Sequence, residues 1–422
     1  MALLEGGPRE WGTNLARVKD YNQVVVLDLV RSNGPLGRPA IASATGLTLQ
    51  TVSNIVRRLL AADTVVEEPV EGPGYGRARR TLRVNPDAAY AIGIQLVRSG
   101  LAAGVVDLAG EIRGRAETGI GVDEPPEQVL RRLAGLVDSA VTSAGIPPER
   151  VLGAGIGAPG PLDLTRGALL NVLHPSSWSH FPMAAAVSEA LGMRVIMDND
   201  ATAAALGEHW RGVGGGCESF IYLYLGTGIG GGLVLSGQAY RGLRGNAGEI
   251  SHIQVDPDGP PCECGSHGCL ALYLTPDGLL REASRAAMEA TPSQPLMDPP
   301  SSLEALVAHP DPRLGEILER AGTHLGRVVL ECSRVLDPEL IVLGGPLVPL
   351  IGERFAAAIV RELRILDEPG ATPPRVELST SGSDAGVIGA ATLVLHDLYA
   401  PTAHKLSLAG LSKGELGAQA AA

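Results

Sequence analysis

The chain is poor in aromatic residues: Trp, Tyr and Phe together make up 3% of its 422 residues. Alanine, valine and leucine must therefore fill its interior. Cysteine is scarce too, five in all, which excludes the dense disulfide framework of a small secreted domain. No apolar run approaches the roughly 18 residues of a membrane-spanning helix, and the longest candidates are strand-sized pieces such as Phe220 to Leu225. The first residues lack the basic-then-apolar pattern of a secretory signal. These absences predict a protein of the reducing cytoplasm, away from the membrane. Hydrophobic residues still account for 45% of the chain, enough for two or three cored domains at this length.

The few cysteines are unevenly placed. Cys262, Cys264 and Cys269 fall within eight residues, ten residues past His252, while Cys217 and Cys332 stand alone. Three thiolates and one imidazole have the softness and number that tetrahedral zinc prefers. Gly265 and Gly268 can bend the backbone around such an ion. The clustering favours one structural zinc per chain over a loop of unliganded thiols or a disulfide.

Charge is also uneven. The net charge is −12, which alone argues against a nucleic-acid partner, yet residues 1 to 90 balance at +2 and the remainder carries −14. Within 31 to 85 there are eight basic and four acidic residues. This segment has the pattern of a winged helix-turn-helix. Pro39 opens a short helix over Ala40 to Ala44, Thr45-Gly46-Leu47 supplies the turn, and Thr48 can cap a second helix. In that helix Val52, Ile55, Val56 and Leu59 recur at helical spacing and leave Gln50, Asn54 and Arg57 on the opposite face. Amides suit adenine edges and arginine suits guanine or phosphate, with Thr51, Ser53 and Arg58 within reach of the DNA backbone. Gly72 to Arg80 then predicts a hairpin tip whose Arg77, Arg79 and Arg80 form a DNA wing. The alternative is a small helical interaction domain with a solvated polar face. Asn85-Pro86 makes a domain boundary, giving a DNA-binding domain over 1–85.

From Tyr90 onward, short apolar strands alternate with helical stretches, the pattern of an α/β fold. Strands are expected at Val151 to Gly157, Arg194 to Met197, Ile221 to Leu225 and Leu340 to Leu343. Helices are expected over Pro126 to Ser143, Ala201 to His209 and Leu314 to Leu336.

Several motifs in this region fall in one familiar order: Gly157-Ala158-Pro159-Gly160, Asp198-Asn199-Asp200-Ala201, Gly226-Thr227-Gly228-Ile229-Gly230-Gly231-Gly232, Gly248-Glu249-Ile250-Ser251-His252, the cysteine cluster, and Gly344-Gly345. Over roughly residues 14 to 398 the chain resembles the ROK family of repressors, open reading frames and sugar kinases. That resemblance implies a two-lobed actin/hexokinase-like (ribonuclease H-like) fold behind the winged helix. Its lobes would span 86–200 and 201–400, with the C-terminal helix returning to the first and a loose tail over 401–422. It implies that Gly157 belongs to a sugar-side turn, that Asn199, Asp200, Glu249 and His252 bind sugar hydroxyls, and that Asp200 occupies the kinase-base position. It also assigns the zinc ligands as His252, Cys262, Cys264 and Cys269.

Departures from the family pattern bear on activity. Where the first phosphate loop, Asp-x-Gly-Gly-Thr, is expected, the chain has Gln95-Leu96-Val97-Arg98-Ser99. Without that aspartate and those glycines, ATP and magnesium lose their seat and no catalytic residue is expected, Asp200 being vestigial. The 226–232 glycine run is then expected to serve fold geometry. Ser251 replaces a glycine, and Ala271 stands where the family carries a sugar-contacting glutamate. Asp198 is expected to be a solvated strand-end carboxylate, and Trp178 a core residue or a platform for a pyranose ring. The expectation is a DNA-binding regulator, a repressor of carbohydrate metabolism, answering to a sugar or sugar-derived effector. A homodimer or homotetramer would bind a pseudopalindromic double-stranded operator. The alternatives are an ATP-dependent sugar kinase carrying a DNA-binding domain, and a regulator answering to a protein partner or another metabolite.

Overall fold

The computed structural model describes residues 15–69, 80–97, 100–121, 124–170, 178–289, 300–366 and 372–401. They divide into two compact units, Met1–Ala89 with Leu395–Ala422, and Tyr90–Val394.

The N-terminal unit opens with helix α1 (Leu15–Asn33), which buries Val26, Leu27 and Val30. Helix α2 (Arg38–Thr45) starts on Pro39 and stops at Gly46, whose φ of 70° suits a residue without a Cβ. Two residues later Thr48 caps α3 (Leu49–Ala61), its hydroxyl accepting the Thr51 N–H at 3.2 Å. Burial of Val52, Ile55, Val56 and Leu59 follows the expected helical period. Strands β1 (Val65–Pro69) and β2 (Arg80–Val84) pair antiparallel, and Leu36 joins them by exchanging two backbone hydrogen bonds with Leu82. Three helices followed by this strand pair have the element order of a winged helix. Arg77 and Arg79 lie outside the described residues.

The second unit contains two five-stranded sheets of similar plan. In the first, β3 (Tyr90–Val97), β4 (Gly100–Asp107) and β5 (Ile112–Gly119) form an antiparallel meander. Helix α4 (Pro126–Ala144) leads to β6 (Val151–Ala158), parallel to β3. A small hairpin, β7 (Leu162–Asp163) with β8 (Ala168–Leu169), and helix α5 (Met183–Leu191) precede β9 (Val195–Asn199), parallel to β6. Helix α6 (Asp200–Arg211) carries the chain onward.

The second sheet repeats the scheme. Strands β10 (Phe220–Leu225), β11 (Ile229–Leu235) and β12 (Gln238–Ala239) are antiparallel. Short helices α7 (Ala271–Leu274), α8 (Pro276–Glu289) and α9 (Leu303–Ala308) follow, then the long α10 (Pro312–Leu336). Strand β13 (Leu340–Gly344), helix α11 (Val348–Leu363) and strand β14 (Arg375–Leu378) complete the sheet in parallel. Such a doubled sheet plan is the actin/hexokinase-like arrangement. Aliphatic side chains fill both cores, with Phe355 and Trp178 among the few aromatics. Helix α12 (Ala385–Tyr399) lies against the first sheet, and a Cβ on Gly104 of β4 would come 2.7 Å from the Val387 side chain. It also meets α6 where Gly207 faces Gly389, glycine on both sides permitting the close approach. No described helix is long and apolar enough to cross a membrane.

Candidate ligand and metal site

The junction of β9 with α6 positions two polar side chains. Asn199 caps α6, its side-chain oxygen accepting the N–H groups of Ala201 at 2.9 Å and Thr202 at 3.2 Å. Asp200 is the first helical residue and accepts the Ala201 N–H at 2.8 Å. Burial pushes the Asp200 carboxyl up to about 7; the Ala201 N–H works against this and the Glu249 charge adds to it.

Two glycines lie close against these groups. At Gly160 a Cβ would stand 2.7 Å from Glu249 Oε1 and 3.4 Å from Asn199 Nδ2, and at Gly157 one would stand 3.6 Å from the Asp200 Cα. Gly157, Gly160, Asn199, Asp200 and Glu249 are thus brought together as one polar cluster. Glu249 is set by Gly248, which has φ of 95° and accepts the Gly231 N–H at 2.9 Å. Burial raises the Glu249 pKa and His252 opposes the rise.

His252 lies one turn beyond Glu249 and joins the cysteines. The ligand atoms of His252, Cys262, Cys264 and Cys269 all lie within 4.8 Å of one another. Cys262 Sγ is 3.5 Å from His252 Nδ1, and Cys264 Sγ is 3.6 Å from Cys269 Sγ. Ligands about 2.0 to 2.3 Å from a tetrahedral zinc stand about 3.5 to 3.8 Å apart, so these separations fit a metal. Gly268, with φ of 56°, is packed against the Asp256 backbone and turns the chain into Cys269. His252 thus presents Nδ1 to the thiolates.

The side where the resemblance places the first phosphate loop is built differently. Gln95 is buried, and its amide donates to the Tyr224 hydroxyl at 2.8 Å, linking the first sheet to the second. Gly386 leaves room for that amide. Arg98 and Ser99 lie outside the described residues. The 226–232 glycines form the β10–β11 hairpin, where a Cβ on Gly230 would come 2.9 Å from Ala201 Cβ and one on Gly231 would come 2.8 Å from the Gly248 carbonyl. Packing thus demands glycine at 230 and 231, whereas a Cβ at Gly228 would meet nothing within 4 Å. At the end of β13, Gly345 has φ of 99° and lies against the Leu225 backbone.

One expectation is overturned and another resolved. Asp198 is not solvated: it is 2% exposed and ion-paired with Arg241 at 2.7 Å. Its strand ends inside the unit, and Arg241 arrives from the loop after β12 to neutralise it. Trp178 belongs to the core, with its Nε1–H donating to the Glu124 carbonyl at 3.1 Å. Sequence reasoning also missed Tyr224 and Gly386, since nothing in their local pattern marks them as partners of Gln95. Ser251 is buried, and Ala271 opens α7.

On α3, Gln50, Asn54 and Arg57 are exposed, whereas Thr51, Ser53 and Arg58 are half-buried. Asn54 Oδ1 accepts from Gln50 at 3.5 Å and from Arg57 at 2.5 Å, tying the three into one row. Arg80 pairs with Glu67 at 3.3 Å, and Glu67 also pairs with Arg38.

A doubled sheet plan, a polar cluster of Asn199, Asp200 and Glu249 against Gly157 and Gly160, and a Cys3His cluster beside it define a sugar-kinase-like class of domain. The ROK family model matches residues 91–397, and the chain belongs to that family. It is 28% identical over 397 residues to a xylose repressor of Caldicellulosiruptor bescii, covering 91% of this chain and 98% of that one. It is 30% identical to a glucokinase of Halalkalibacterium halodurans, covering 72% of this chain and 94% of that one. Among solved structures, a ROK family transcriptional regulator described as a homologue of the E. coli MLC protein superposes with a TM-score of 0.73 at 23% identity, covering 93% of this chain and 99% of that one.

Proposed function

We propose that the protein is a DNA-binding transcriptional repressor of carbohydrate metabolism whose ROK domain responds to a sugar-class effector. The observation that carries this reading is the pairing of the Asn199, Asp200 and Glu249 cluster with Gln95 bonded to Tyr224 on the phosphate side. Such a domain retains groups that bind hydroxyls and has lost the aspartate that organises magnesium and phosphate. The relatives support the same choice. The glucokinase is almost fully covered yet leaves over a quarter of this chain unmatched, whereas the xylose repressor matches nearly end to end.

In this reading residues 1–85 bind the operator through Gln50, Thr51, Ser53, Asn54, Arg57, Arg58, Arg77, Arg79 and Arg80. The first ROK lobe covers 86–200 and the second 201–400, with a tail over 401–422. Gly157, Asn199, Asp200, Glu249 and His252 receive the effector, whose hydroxyls donate to the carboxylates and accept from the Asn199 amide and the imidazole. His252, Cys262, Cys264 and Cys269 would hold zinc, which supplies a rigid anchor for the histidine. The protein works in the cytoplasm as a homo-oligomer, where two recognition helices face a pseudopalindromic operator.

The test is selection of DNA from a random library by the purified protein, followed by titration of the selected site at fixed salt with a monosaccharide panel. A pseudopalindrome whose binding shifts with one sugar is the expected result. Specific binding indifferent to every sugar would point instead to a protein partner or another metabolite as effector. The kinase reading keeps one observation in its favour, the Asp200 carboxyl titrating near neutrality as a general base would. ATP-dependent turnover of a hexose, abolished by Asp200→Asn, would establish it.

A further inference from the structure

Leu49 lies outside the buried core of the N-terminal unit. It is the first residue of α3 and is 55% exposed, and among the described side chains from 20 to 89 it is the one large apolar group left in solvent. The buried stripe of α3 consists of Val52, Ile55, Val56 and Leu59. Leu49 stands one turn before Ser53, on the flank of α3 between the buried stripe and the polar row of Gln50, Asn54 and Arg57. The Thr48 cap fixes the helix end that carries it.

The first turn of a recognition helix is the part that reaches base edges. In the major groove those edges present hydrogen-bond donors and acceptors and one apolar group, the C5-methyl of thymine. A leucine offers nothing to the former and a good surface to the latter. We propose that Leu49 is a specificity-determining residue that reads a thymine methyl in each operator half-site, next to the base contacted by Gln50. The inference rests on the DNA-binding reading of α3 and adds a chemical identity to one position of the site. Burying one methyl group corresponds to about a fourfold gain in affinity.

The experiment uses the full-length protein and the operator selected above. Each thymine is replaced in turn by deoxyuridine, which removes the methyl and leaves every hydrogen-bonding group in place, and binding is measured at one salt concentration. One thymine per half-site should bind about fourfold more weakly as uracil. With Leu49→Ala that difference should vanish, and with Leu49→Met, which keeps an apolar side chain, it should persist. A scan with no weakened position, or one whose weakened position is unchanged in Leu49→Ala, overturns the proposal while leaving DNA binding intact. Failure to select any site overturns the proposal together with the reading beneath it.

Discussion

Asp200 carries a charge that the fold disfavours. Its carboxyl titrates at about 7 against an ordinary 3.8, chiefly because it is buried and secondarily because Glu249 faces it. A raised carboxylate pKa means that the folded state holds the proton more tightly than the unfolded chain does. Stability associated with the group is therefore fully present below 3.8 and is lost as pH rises toward about 7. Asp200→Asn keeps an oxygen for the Ala201 N–H and removes the charge. Thermal unfolding should show the variant a few degrees more stable than the parent at pH 8 and no more stable at pH 4; equal shifts at both would remove the electrostatic explanation. Gly160 offers a complementary test of the same cluster. Its missing Cβ is what separates it from Glu249 Oε1, the mobile end of a side chain. Gly160→Ala should consequently fold normally but bind the effector about tenfold more weakly by calorimetry.

At the scale of elements, the metal loop and the Glu249 turn act as one piece, because His252 belongs to both. Metal analysis should find one zinc per chain. Cys264→Ser should weaken the metal by at least the roughly tenfold to hundredfold that follows from removing an outer partner, and should lower both the melting temperature and the effector affinity. Retained effector affinity in a metal-free variant would separate the two elements. The same contrast shows what a sequence can reveal. The cysteine cluster, the α3 stripe and the helices over Pro126, Ala201 and Leu314 were legible because ligand spacing and helical period are local properties. The Asp198–Arg241 pair and the Gln95–Tyr224 bond were not, since their partners are 43 and 129 residues apart and neither arginine nor tyrosine announces its destination. Burial of Asp198 depends on where β9 ends inside the fold, which no window of residues around it encodes.

Over the whole molecule, the proposed regulation is a coupling of two binding equilibria, and its thermodynamics require no assumption about how the two units are arranged. If the effector changes operator affinity by some factor, the operator must change effector affinity by the same factor. Couplings of this kind are commonly about 5-fold to 150-fold. The Gln95–Tyr224 bond and the Asp198–Arg241 pair tie the two sheets of the ROK domain together, and the prediction is that an effector preferring one arrangement of those sheets is felt at these contacts. Calorimetric titration of the effector into free protein and into protein saturated with operator should give two dissociation constants. Their ratio should equal the change in operator affinity measured by adding effector. Gln95→Ala, which removes the bond without touching Asn199, Asp200 or Glu249, should shrink both ratios together. If it lowered only the affinity for effector and left the ratio unchanged, Gln95 would be a structural support, and the coupling would have to run through other contacts.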